Sequence, residues 1–220
     1  LKIPTVGEIL EDEDSYYNIV SSLTASPFQF MIQLDDMGID YTQITDYQLF
    51  MMLFPMYTKS DLSLLFGDLD TSDFGIYINQ QDNSQVIYSP SNNIVIDELV
   101  YNDLADTIRK INLFEKVKSK PGNESARKYL LEKERKKQKR NAKKPKEPYL
   151  EKLVIALVNT SEFPYNYETC MDLSIYKFNQ SFKQIQQKIT FDNTMIGVYA
   201  GTVDTSKMTN KDVLSWISSK

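Results

Sequence analysis

From Lys133 to Lys146, nine of fourteen residues are lysine or arginine, and no large apolar side chain interrupts them. Upstream, Asn123 follows the Pro121-Gly122 break as a good N-cap, and Glu124 to Leu131 is rich in strong helix formers. Pro145 and Pro148 close the segment. The pattern predicts a basic helix around 124–144 that lacks an apolar stripe beyond Leu131. Such a helix cannot be anchored by a core, so it projects into solvent, runs between modules or is ordered by a partner. The rest of the chain must fold on either side of it, which predicts an acidic helical domain over 1–115, a basic arm or linker over 116–148, and a C-terminal helical domain over 149–220 packing on the first.

Charge follows the same division. Residues 1–115 carry 4 basic and 19 acidic side chains, 116–152 carry 15 and 5, and 153–220 carry 6 of each. The net charge of -5 therefore hides local balances of -15, +10 and 0. Segregation on this scale has consequences for partners or self-association.

In a 220-residue chain, 41% hydrophobic and 12% aromatic content suffices for a real core. Cys170 is the single cysteine and there is no histidine, so an intramolecular disulfide framework, a Ser-His-Asp triad, a Cys-His dyad and structural zinc all fall away. Catalysis is left with carboxylate, lysine or tyrosine chemistry, and none of these groups shows a recognisable spacing. The seven glycines include no GxGxxG or GK[ST] context, so nucleotide binding is unsupported. The expectation is a protein that is not an enzyme and holds no cofactor or metal. Neither a signal-like segment nor a run of roughly eighteen apolar residues occurs, which predicts a cytosolic protein with no membrane contact.

Local patterns predict a mainly α (α+β) fold. Thr5 and Glu8 form a capping-box pair for a short helix. The acidic run Glu11 to Asp14 reads as a helix N-terminus, since it lacks the alternating ligands and glycine of a calcium loop. Tyr16, Tyr17, Ile19, Val20 and Leu23 recur at helical spacing, and Ser26-Pro27 is expected to start a second helix that Gly38 ends. Asp46 to Tyr57 reads as a buried core helix, with a methionine-rich docking face as the lesser reading. Between 74 and 96, three short β-type runs separated by Gln81–Ser84 and Pro90–Asn93 predict a small antiparallel hairpin or meander.

Asp97-Glu98 is expected to open a helix to about Phe114, with Leu99, Leu104, Ile108, Ile111 and Leu113 on its apolar side. Further helices are expected from Tyr149 to Val158, through Ile175 to Ile189, separately over Phe191–Tyr199, and after Thr209 at the C-terminus. Asp68, Asp70 and Asp73 offer carboxylates near a turn that could take Mg2+ or Ca2+ in a metal-dependent enzyme, although turn and capping roles fit them better.

The candidate partner-binding residues are Lys133, Arg135, Lys136, Lys137, Lys139, Arg140, Lys143 and Lys144. Their density suits salt-sensitive nucleic-acid binding through counterion release, but no aromatic residues are interleaved among them for base stacking. It suits equally well an acidic protein partner, or the acidic first half of a neighbouring copy.

The segments IPTVGEIL (Ile3 to Leu10), QLDDMGIDY (Gln33 to Tyr41), LLFGDLD (Leu64 to Asp70) and FNQSFKQIQQKITFDNTMIGVYAGTVD (Phe178 to Asp204), with Trp216, carry a resemblance. Over nearly its full length the chain resembles a family of proteins encoded by phages and prophages of Firmicutes, in or near tail-morphogenesis genes. The resemblance implies a virion tail component or tail assembly chaperone in the host cytoplasm or the finished tail. Its implied partners are other phage tail proteins or copies of itself, and it transfers no functional residue.

Overall fold

The computed structural model describes residues 1–80, 82–117, 119–142 and 148–218, and the side chains of all of these but 59 and 60. In chain order the elements are α1 (Val6–Leu10), α2 (Glu13–Leu23), α3 (Met31–Asp36), α4 (Asp46–Leu53), a 3-10 turn at Phe54–Met56, and α5 (Lys59–Phe66). Strands β1 (Gly75–Ile78), β2 (Gln85–Ser89) and β3 (Ile94–Ile96) follow, then α6 (Glu98–Asn112), α7 (Glu124–Asn141), α8 (Leu150–Val158), α9 (Tyr167–Met171) and α10 (Ile175–Tyr199). The fold is mainly α with a small β part. Two compact units divide the chain: Leu1–Ile3 with Asp12–Pro148, and Pro4–Glu11 with Tyr149–Lys220.

In the first unit the acidic run serves as a helix start. The Asp12 carboxylate accepts from the Ser15 N–H, and Glu13 and Asp14 occupy the first turn of α2, where the backbone dipole favours negative charge. Tyr16, Ile19, Val20 and Leu23 make its buried face. A Thr45/Gln48 capping box starts α4, and Asp97 caps α6. These helices share an aromatic cluster, with ring centroids 4.6 Å apart for Phe50–Tyr101 and 5.0 Å for Phe50–Phe54. Buried polar groups tie the same region. Tyr16 donates to Asn112 at 3.0 Å, and the buried Arg109 donates to the Thr24 carbonyl at 2.6 Å.

The strands pair antiparallel in the order β1-β2-β3, with Ile76 opposite Ile87 and Ile87 opposite Ile96. Tyr47 of α4 donates to the Ile96 carbonyl at 2.7 Å, fixing the meander to the helical core. Ile87 is fully buried, whereas Ile76 and Ile78 on the edge strand are exposed.

In the second unit both members of the Thr5–Glu8 capping box are formed, and Val6 and Ile9 of α1 are fully buried. Thr5 and Ser174 form an antiparallel bridge, flanked by Val6 N–H donating to Leu173 O and Ile175 N–H donating to Pro4 O, each at 2.8 Å. Gly7 permits this approach: a Cβ there would lie 3.3 Å from both Cβ and O of Met171, tighter than ordinary packing. Leu150, Val154, Leu157, Cys170 and Phe178 complete the interior.

Four local expectations change. The segment Pro27–Phe30 forms successive i+3 turns, with Gln29 Oε1 accepting from Ser26 N, and α3 starts only at Met31. Leu99 is 72% exposed, and Tyr101 and Ala105 take the buried positions on α6 instead. The expected break near Phe191 is absent: α10 runs unbroken for 25 residues, with no proline within it and no glycine before Gly197. After Thr209 only the 3-10 turn Asp212–Leu214 forms. Gln184 and Gln187 of α10 hold this tail through the carbonyls of Trp216, Asp212 and Ser215, while Trp216 itself stays exposed.

Candidate interaction surface

The basic helix α7 has two unlike faces, both in the first unit. On the inner face Leu131 is buried with Ala25, Met31, Ile32, Leu34, Tyr41 and Leu49, and Leu130 packs beside it. One turn to either side sits an arginine. Arg127 Nη1 lies 3.7 Å from Asp40 Oδ1, and Arg135 Nη2 lies 2.8 Å from Asp35 Oδ2 and 2.5 Å from Asp36 Oδ1. Spacing of four residues between 127, 131 and 135 puts the leucine and both arginines on one side.

The electrostatics agree with this placement. Hydrogen bonds to Asp36 and then Asp35 push the Arg135 guanidinium above its ordinary pKa. Asp40 is held below the usual carboxylate range, first by the Thr42 N–H and hydroxyl and to a smaller extent by Arg127. The polar turn beyond Leu131 is therefore held by carboxylates of its own chain.

The outer face is different. Tyr129, Glu132, Lys133, Lys136, Lys137 and Arg140 line a shallow cleft along the helix. Tyr129 is 64% exposed, and Lys133, Lys136 and Arg140 follow it at i+4, i+7 and i+11, one straight stripe. Lys136 and Lys137 reach Glu132 and Glu134 at 3.8 and 3.4 Å. Among the described residues Lys133, Lys139 and Arg140 make no ion pair, so their charge faces solvent.

Of the residues singled out from sequence, Lys133, Lys136, Lys137, Lys139 and Arg140 thus lie exposed, and Arg135 is engaged within the chain. Lys143 and Lys144 fall outside the described residues. Tyr129 was missed because it precedes the basic run. Helical periodicity counted back from Lys133 is the signal that finds it.

Other candidates resolve into local structure. Asp70 accepts from the Ser72 N–H and hydroxyl, and Asp73 from the Ser89 hydroxyl and Ser91 N–H, so both stabilise turns. Among the described residues no three carboxylates or cysteines stand close enough to hold a metal ion. Cys170 is buried, and burial pushes its thiol pKa up. A second cleft, of about 560 Å3, opens between Phe28, Tyr41, Tyr47 and Lys116, with the Lys116–Asp46 ion pair of 2.9 Å on its wall. No helix among the described residues is long and apolar enough to cross a membrane.

Residues 137–219, less than half of the chain, match a family model described as the YomV second domain, a phage-associated family. The matched stretch begins in the last turn of α7 and takes in α8 to α10. No curated protein and no solved structure matches the chain.

Proposed function

We propose that this is a phage protein without enzymatic activity that works in tail morphogenesis, as a tail component or an assembly chaperone, through protein contacts made by the outer face of α7. The phage-associated family matched by residues 137–219 supplies the context. The observation that carries the contact reading is the stripe Tyr129, Lys133, Lys136 and Arg140. Tyrosine and arginine are among the side chains most enriched where protein interfaces concentrate their energy, and the cations beside them, Lys133 without an ion pair among the described residues, favour an acidic partner and speed its encounter. The helix already binds protein carboxylates on its inner side, so the outer face repeats chemistry that this chain uses on itself. The protein works in the host cytoplasm during assembly or within the finished tail.

Capture of partners from phage-producing cells, with and without nuclease and across a salt series, tests this reading. Tail proteins that survive nuclease and are lost from K133E/K136E/R140E are the expected result. Recovery of nuclease-sensitive material alone overturns it.

Tyr129 also favours a second reading, binding to single-stranded nucleic acid, because an exposed ring in line with cations can stack on a base. Four cations on phosphates would give a salt slope of about -3. An oligonucleotide titration that shows no such slope removes that reading.

A further inference from the structure

We infer that the outer face of α7 docks antiparallel onto the exposed face of α6 in a second copy of this chain, an inference that rests on the protein-contact reading of α7. The exposed side of α6 presents Leu99, Asp103, Asp106 and Lys110, opposite the buried Tyr101, Ala105 and Ile108. Their spacing, four, three and four residues, equals that of Tyr129, Lys133, Lys136 and Arg140 on α7. The sequence of gaps is symmetric, so the two stripes can be laid together in either direction, and chemistry decides between them.

Parallel alignment sets Lys110 against Arg140, a repulsion. Antiparallel alignment removes it and satisfies every position. Asp103 meets Lys136, and Asp106 meets Lys133. Leu99 lies along the aliphatic stem of Arg140, and Lys110 comes over the ring of Tyr129. Helix dipoles also oppose one another favourably in that direction. Lys133 and Arg140 have no ion-pair partner among the described residues, and the Asp106 side chain is 71% exposed even while bonded to Arg109. Leu99, an apolar side chain left 72% exposed on an otherwise amphipathic helix, gains a cover.

Because α6 and α7 are different surfaces, the contact is heterologous, and each copy offers one surface of each kind to further copies. Two stripes three turns long span about 16 Å, which puts the interface at the small end, below about 1,200 Å2. Such a contact is reversible, salt-labile and effective only where copies are concentrated.

Sedimentation velocity of the full chain, freed of nucleic acid, provides the test. At about 50 mM salt the sedimentation coefficient rises with concentration, and about 500 mM salt abolishes the rise. Asp103→Lys and Lys136→Glu, both exposed, each weaken association by about tenfold. Mixing the two variants restores a cation opposite a carboxylate and recovers association with each other. Leu99→Glu, which sets a carboxylate against Arg140, tightens it. A wild-type chain that stays monomeric at low salt overturns the inference, as does a mixture no better than either variant alone. If the chain is monomeric but still captures nuclease-resistant tail proteins through α7, only the identity of the partner falls. If monomeric wild type binds a labelled oligonucleotide and Lys136→Glu loses it, the protein-contact reading falls as well.

Discussion

The aromatic centre of the first unit and the basic helix α7 are stabilised by opposite means. Around Phe50, Tyr16 and Tyr101, contact is dry and the polar atoms are few and mostly bonded. Along α7, Leu131 is buried with Leu130 half-buried beside it, and the other anchors are two arginines on three aspartates, with the outer side exposed. Burial of large rings is insensitive to salt and neutral pH, whereas exposed ion pairs contribute little and are screened. The first region therefore sets the stability of the unit, and the second can be loosened without unfolding it.

Phe50→Ala tests the dry side most severely. It should cost about 3–5 kcal/mol in a denaturant titration. A loss under 1 kcal/mol would mean that the ring cluster is not where the stability resides. Alkali offers the next largest effect. Burial raises Tyr16 and Tyr101 to about 12, above an unfolded value near 10. Their stabilisation is complete below about pH 10 and is lost as pH rises toward 12, at about 2–3 kcal/mol each. Phenolate absorbance should show two tyrosines that ionise only as the unit unfolds.

Leu131→Ala should cost about 2 kcal/mol, and chiefly locally. Amide exchange over α7 then accelerates far more than exchange over α4. If both accelerate alike, the two regions are one cooperative body and the contrast disappears. Acid acts on the same anchor: Asp40 has a depressed pKa, so its contribution is present above the ordinary carboxylate range and is lost as pH falls through the depressed value. Exchange over α7, corrected for its intrinsic pH dependence, should rise as pH falls through that depressed value, and by less than in Leu131→Ala. The smallest effect belongs to the outer face. Replacing Lys136, Lys137, Lys139 and Arg140 with glutamate should leave thermal unfolding essentially unchanged, and a large loss would show that this side is packed.

What could be read from the chain beforehand was mostly local. Thr5, Asp97 and Asn123 cap the helices their sequences announce, and the polar turns after Ile78 and Ser89 divide the meander at the right places. The helix start was misplaced at Ser26-Pro27, where the backbone closes i+3 turns through Phe30 before the regular helix begins at Met31. Leu99 misleads because its apolar character alone suggests a core position, whereas its place on the helix is with Asp103 and Asp106, opposite the buried Tyr101, Ala105 and Ile108. The anchors of α7 were illegible for another reason. Arg135 and its aspartates are about a hundred residues apart, and a charge run carries no mark of which members will find a carboxylate. Tyr129 was legible in principle, one helical turn ahead of where the reading began.

The strand-like bridge between Thr5 and Ser174 has a consequence for synthesis. The helix α1 leaves the ribosome more than 150 residues ahead of the segment near 170–175 on which it packs, so Val6 and Ile9 wait for that cover. At about 5–20 residues per second that interval lasts roughly 10–30 s. Through it the nascent chain carries a short apolar helix without its cover, and a chain cut short before Cys170 would carry it so permanently.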